Sequence, residues 1–159
     1  MTGSTRTTVG LIGIGAMGSA FARHLLQAGY AVVGYDLSTD RCAQFSAMGG
    51  QVVSPRDMTG LCDIAVLSLP SGDAARDVLR RDSPVGLGDI DGWVLIETST
   101  LSVADKLDLG ERARERGATL LDCPVSGTSE QAQSRDLIAY VSGDPEAKVR
   151  ALPVIAAFT

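Results

Sequence analysis

Six residues near the start of the chain, Gly13-Ile14-Gly15-Ala16-Met17-Gly18, form a G-x-G-x-x-G pattern. Between a strand and a helix, glycines at this spacing have three distinct uses. The first makes a tight turn, the second lets the backbone approach a pyrophosphate, and the third lets helix and strand pack closely. Unpaired N–H groups at the start of such a helix, helped by its dipole, bind phosphate oxygens. Asp36 lies 18 positions after Gly18, close to the roughly 20 at which an acid meets the ribose hydroxyls of a dinucleotide. A carboxylate there repels a 2′-phosphate, so NAD is favoured over NADP, and Arg41, one helical turn on, softens that preference. Metal chemistry is not expected. The only histidine is His24, and Cys42, Cys62 and Cys123 are too scattered to form a ligand set.

These residues need a strand-turn-helix frame, and the sequence supplies one. Thr8 to Gly13 reads as a strand and Ala16 to Ala28 as a helix, with Met17, Phe21, Leu25 and Ala28 at helical spacing. Strands follow at Ala31–Tyr35, Gln51–Val53, Asp63–Leu69, Trp93–Glu97 and Ala118–Asp122, with helices between them. Ser54-Pro55 opens a short helix to about Leu61, and Ser102 caps a charged helix to Arg116. Beyond Asp122 come a loop and short helix (Pro124–Ser134), a strand at Leu137–Ser142, and a final helix from Pro145 to about Ala156, leaving Ala157-Phe158-Thr159 after it. Alternation at these spacings predicts an α/β fold of the Rossmann type, a doubly wound, mainly parallel sheet with helices on both faces.

The 159 residues fit one domain of ordinary size; 45% are apolar and 21% charged, which excludes a disordered chain. A net charge of −5 argues against nucleic acid or an anionic membrane surface as the main partner. No apolar run is long enough to span a membrane. Unpaired cysteines fit a reducing, cytoplasmic setting.

Two further segments narrow the class. Asp122-Cys123-Pro124-Val125-Ser126-Gly127-Thr128, with Val9 to Gly18, Ala28-Gly29-Tyr30 and Gly34-Tyr35-Asp36, resembles the β-hydroxyacid dehydrogenase family. That family's D-A-P-V-S-G-G segment lies in its substrate site. The resemblance implies that Gly13 to Gly18 and Asp36 bind NAD. Leu69, Pro70 and Ser71 then line the cofactor, and Ser99 and Thr100 match the family's S-T beside the nicotinamide. It also implies that Ser126, Gly127 and Thr128 hold the carboxylate or hydroxyl end of a small hydroxy acid, with Thr128 standing where the family carries a second glycine. Glu97 replaces the family's aspartate, and Ser134-Arg135-Asp136 stands where a glycine is usual.

The same resemblance implies a catalytic lysine on a later helix, leading into a helical second domain. Neither Lys106 nor Lys148 matches its motif, and residue type alone makes both solvated. The expectation is therefore one NAD-binding domain, residues 1–159, of a hydroxyacid dehydrogenase, with the catalytic lysine and the helical domain outside it. Its isolated form is expected to bind NAD with little turnover, and self-association into a homo-oligomer would hide apolar surface. Two readings stay open beside it: a non-catalytic dinucleotide sensor and an S-adenosylmethionine methyltransferase.

Overall fold

The computed structural model describes residues 6–159. Six parallel strands form one sheet in the order β3-β2-β1-β4-β5-β6. They are β1 (Thr8–Ile12), β2 (Ala31–Tyr35), β3 (Gln51–Val52), β4 (Ile64–Leu67), β5 (Val94–Glu97) and β6 (Thr119–Asp122). The helices are α1 (Ala16–Gln27), α2 (Thr39–Ala47), α3 (Gly72–Leu79), α4 (Val103–Glu115), α5 (Ser129–Ser134) and α6 (Pro145–Phe158). This is the Rossmann-type α/β architecture that the alternation predicts.

Side chains on the inner strands alternate between two apolar layers, as a pleated strand requires. Val9, Leu11, Val66 and Ile96 point to the layer that contains Phe21 and Leu25 of α1 and Ile155 and Phe158 of α6. Ile12, Ala65, Leu67 and Leu95 point to the opposite layer, with Ala75 and Val78 of α3 and Leu109 and Ala113 of α4. Both faces of β4 and β5 are therefore covered, which explains their unbroken apolar sequences.

Three elements depart from the sequence reading. The segment after Ser54 is one 3-10 turn, Pro55–Met58, rather than a helix to Leu61. The strand expected at Leu137–Ser142 shortens to β8 (Ile138–Ala139) and pairs antiparallel with β7 (Val125–Ser126), outside the main sheet. Helix α6 continues through Phe158 despite Pro153. The Phe158 ring lies 4.4 Å from that of Phe21 and is fully buried, so packing on α1 sustains the last turn. No helix among the described residues is long and apolar enough to cross a membrane.

Candidate functional site

The strand order reverses between β1 and β4, and ligands of open α/β sheets bind beyond the strand C-termini at such a reversal. A cleft of about 870 Å³ opens there. Gly13, Gly15, Ala16, Met17, Asp36, Leu69, Pro70, Ser99, Thr100 and Gly127 all line it. Ile14, Gly18, Ser126 and Thr128 do not. Sequence reasoning missed Ser68, Ala74, Asp77, Val78 and Val85, among other residues of its wall. Asp77 and Val78 sit on α3, where no local motif marks them.

The three glycines of the turn differ in what demands them. Gly13 has φ +92°, and a Cβ there would collide with the Ser68 carbonyl. A Cβ at Gly18 would collide with the carbonyl of Gly13. A Cβ at Gly15 would meet only Arg41 Nη1, at 3.8 Å. The protein's own packing thus requires Gly13 and Gly18 but leaves the space before Gly15 open to the cleft. Gly15 caps α1 without a side chain, so the first-turn N–H groups of that helix face the same space. An open cradle of this kind fits a phosphate.

Asp36 stands at the β2 end of the cleft. Its carboxylate accepts N–H bonds from Ile14 (2.7 Å) and Ser38 (2.9 Å), and Arg41 Nη1 lies 3.5 Å away. The first bond ties β2 to the glycine turn and explains why Ile14 serves the turn through its backbone. The Asp36 side chain is 9% exposed and that of Arg41 53%.

At the opposite end, Thr98 Oγ1 donates to the Leu67 carbonyl (2.8 Å). The Leu69 N–H donates to Ser99 Oγ (3.0 Å), and the Ser99 N–H to Glu97 Oε1 (3.0 Å). The loops after β4 and β5 are therefore bonded together. Ser71 turns away from the cofactor wall and caps α3 by accepting from the Ala74 N–H.

In the segment after β6, Gly127 has φ +145°, and a Cβ there would strike Leu137. Thr128 is committed to the cap of α5. Its hydroxyl accepts from the Gln131 N–H (3.2 Å), while its own N–H donates to Gln131 Oε1 (2.9 Å). Ser126 is exposed on β7. Arg135, in the Ser134-Arg135-Asp136 segment, takes the left-handed conformation at φ 57° and donates to the Ala156 carbonyl of α6.

Lys106 is not the solvated residue its type suggests. Its ammonium pairs with Glu97 Oε2 and with Asp122 Oδ1 (2.7 Å), and its side chain is 10% exposed. Lys148 lies on α6, away from the cleft. His24 is buried and donates through Nε2 to the Ala132 carbonyl (2.8 Å), a bond between α1 and α5.

Comparison with known proteins identifies the family and the fold. Residues 8–159 match the family described as the NAD binding domain of 6-phosphogluconate dehydrogenase. The chain is 33% identical over 141 residues to a mitochondrial 3-hydroxyisobutyrate dehydrogenase of Homo sapiens, covering 88% of this chain and 42% of that protein. It is 32% identical over 150 residues to an L-threonate dehydrogenase of Cupriavidus necator, covering 94% of this chain and 50% of the relative. A structure of a Mycobacterium tuberculosis 3-hydroxyisobutyrate dehydrogenase with L-serine superposes with a TM-score of 0.87 at 28% identity, covering 98% of this chain and 53% of that one. The chain thus spans about half the length of the relatives it matches.

Proposed function

The chain belongs to the family of the NAD-binding domain of 6-phosphogluconate dehydrogenase, and on that premise we propose that it forms the cofactor half of an oxidoreductase acting on a small 3-hydroxy acid. The observation that carries this reading is the open space before Gly15, with the Asp36 carboxylate at one end of the cleft and the Ser99 loop at the other. The pyrophosphate fits the N-terminus of α1, where unpaired N–H groups and the helix dipole meet it. Asp36 receives the adenosine ribose hydroxyls. Leu69 and Pro70 line the middle of the cofactor, and Ser99 and Thr100 its nicotinamide end.

When bound, the nicotinamide supplies or accepts the hydride. The protein's share is to orient the cofactor, exclude water and place the substrate. Gly127 reaches the cleft wall and Ser126 adjoins it on β7. These two residues are assigned to the carboxylate or hydroxyl end of the substrate. Thr128 contributes through the cap that fixes the loop, since its N–H and hydroxyl are already bonded. The names of the relatives support the substrate class: 3-hydroxyisobutyrate, threonate and L-serine each carry a carboxylate and a hydroxyl on the β-carbon.

The cleft is lined by Asp36, Arg41 and Asp77 as its charged residues, none of them in the loops that carry Ser99 and Gly127. None of these three is the lysine that the resemblance assigns to proton transfer, which in the family lies on a later helix leading into a helical domain.

Isothermal titration with NAD and NADP tests the reading. NAD is expected to bind, and NADP at least about tenfold more weakly, because its 2′-phosphate meets Asp36. No binding of either, or a preference for NADP, overturns it.

A further inference from the structure

Lys106 is a largely buried cation that the proposed chemistry does not use. It emerges from α4 beneath the ends of β5 and β6. Glu97 and Asp122, the last residues of those two strands, stand opposite each other in the parallel register. Glu97 is fully buried. Two carboxylates side by side on neighbouring strands repel, and burial strengthens the repulsion. The Lys106 ammonium sits against both of them, and also lies 3.4 Å from the Glu97 carbonyl oxygen.

Each carboxylate leads directly into a loop of the site. The second oxygen of Glu97 accepts the Ser99 N–H, and Ser99 Oγ in turn accepts the Leu69 N–H. A continuous chain of bonds thus runs from Lys106 through Glu97 and Ser99 to Leu69. On the other side, Asp122 exchanges backbone hydrogen bonds with Ser142 (3.1 and 2.8 Å) and opens the Cys123-Pro124-Val125-Ser126 segment. One cation therefore fastens the loops at the cofactor end and the substrate end of the cleft.

We propose that Lys106 is a positioning residue, which through Glu97 and Asp122 fixes the Ser99 loop against the nicotinamide half of the cofactor and sets it beside the Ser126–Gly127 segment. This rests on the dinucleotide reading above. The geometry makes the effect directional. In the sheet order, β2 with Asp36 and β1 with the glycine turn lie on one side, and β5 with Ser99 on the other. Lys106 touches only the latter side. Its loss should weaken what the nicotinamide half contributes and leave the adenosine half alone.

The test compares Lys106→Met with the unaltered chain in binding NAD and ADP-ribose by calorimetry, with NADH fluorescence as a report on the nicotinamide. ADP-ribose affinity is expected to stay within about twofold, while NAD weakens about tenfold (about 1.4 kcal/mol) and the fluorescence change on NADH binding is lost. Parallel weakening of both ligands, or no change in either, overturns the proposal, since a merely structural lysine moves both together. Should Lys106→Met not fold, Lys106→Gln, which keeps a shorter polar donor, carries the same comparison. Failure of the unaltered chain to bind either ligand instead sinks the dinucleotide reading, and this proposal with it.

Discussion

At the scale of the residue, identity and spacing announce the glycine turn, but only the surroundings separate the roles within it. Gly13 and Gly18 are held by collisions with backbone carbonyls, whereas nothing in the protein crowds Gly15. Gly18→Ala is expected to cost about 1–3 kcal/mol of stability, because a rigid backbone oxygen cannot make room for a methyl group. Gly15 has an ordinary extended backbone (φ −72°, ψ −162°) and open space, so the melting temperature of Gly15→Ala should hardly change. Its NAD affinity should instead fall by about tenfold or more, since the methyl group occupies the phosphate approach. Calorimetry and thermal unfolding of the two variants check this; NAD binding by Gly15→Ala at full strength would remove the cradle from the argument. The same scale marks where the sequence misleads. Lys106 reads as a surface lysine because nothing nearby in sequence places Glu97 and Asp122 on either side of it; the strand pairing does that. Arg135 hides a left-handed position that glycine usually marks.

At the scale of the element, long periodic segments are legible in the sequence and short ones are not. The β1-turn-α1 unit and the apolar β4 declare themselves through their patterns. β7 and β8 have two residues each, too few for a period, and their pairing depends on the turn at Gly127 and the capping box of α5. Helix α4 has a charged face, which reads as an exposed ion-paired surface. Part of that face clasps α3. Arg76 of α3 pairs with Asp105 and Asp108 of α4, and Arg112 also reaches Asp108 (2.9 Å). The Asp105 carboxyl is held below its usual 3.8, first by the Ser102 hydroxyl and then by Arg76. Asp108 is lowered first by Arg112 and then by Arg76. Carboxylates depressed in the folded state contribute stability that is complete above their unfolded value and is lost as pH falls through the folded value. Arg76→Met should therefore melt below the unaltered chain at neutral pH, and the gap should close below about pH 4. Thermal unfolding across that range checks it, and a gap independent of pH would show that Arg76 acts by packing alone.

At the scale of the whole molecule, the fold brings the groups proposed for a dinucleotide to the C-terminal ends of the central strands, and no lysine or histidine among the described residues lines that cleft. Among the described residues, His24 is spent joining α1 to α5, and Lys106 lies between two carboxylates. The Ser99 end of the cleft presents hydroxyls and backbone amides. Thr98 Oγ1 is itself bonded to the Leu67 carbonyl, and Ser99 Oγ accepts the Leu69 N–H. An alcohol giving up hydride must also lose its proton, and a positioned base ordinarily contributes about 10²–10⁴-fold to that step. Residues 1–159 are therefore expected to bind NAD while reducing it with 3-hydroxy acids such as 3-hydroxyisobutyrate or L-serine at rates at least about 10²-fold below those of a complete enzyme of this family. Ligand ranking separates this from the two other readings: a methyltransferase domain would rank S-adenosylmethionine above NAD, and a sensor would bind no hydroxy acid beside the cofactor. Following NADH formation by absorbance, with NAD saturating and each acid varied, gives the answer. Robust turnover would place the base within this chain and make the hydroxyls of Ser99 and Thr100 the first groups to remove by mutation.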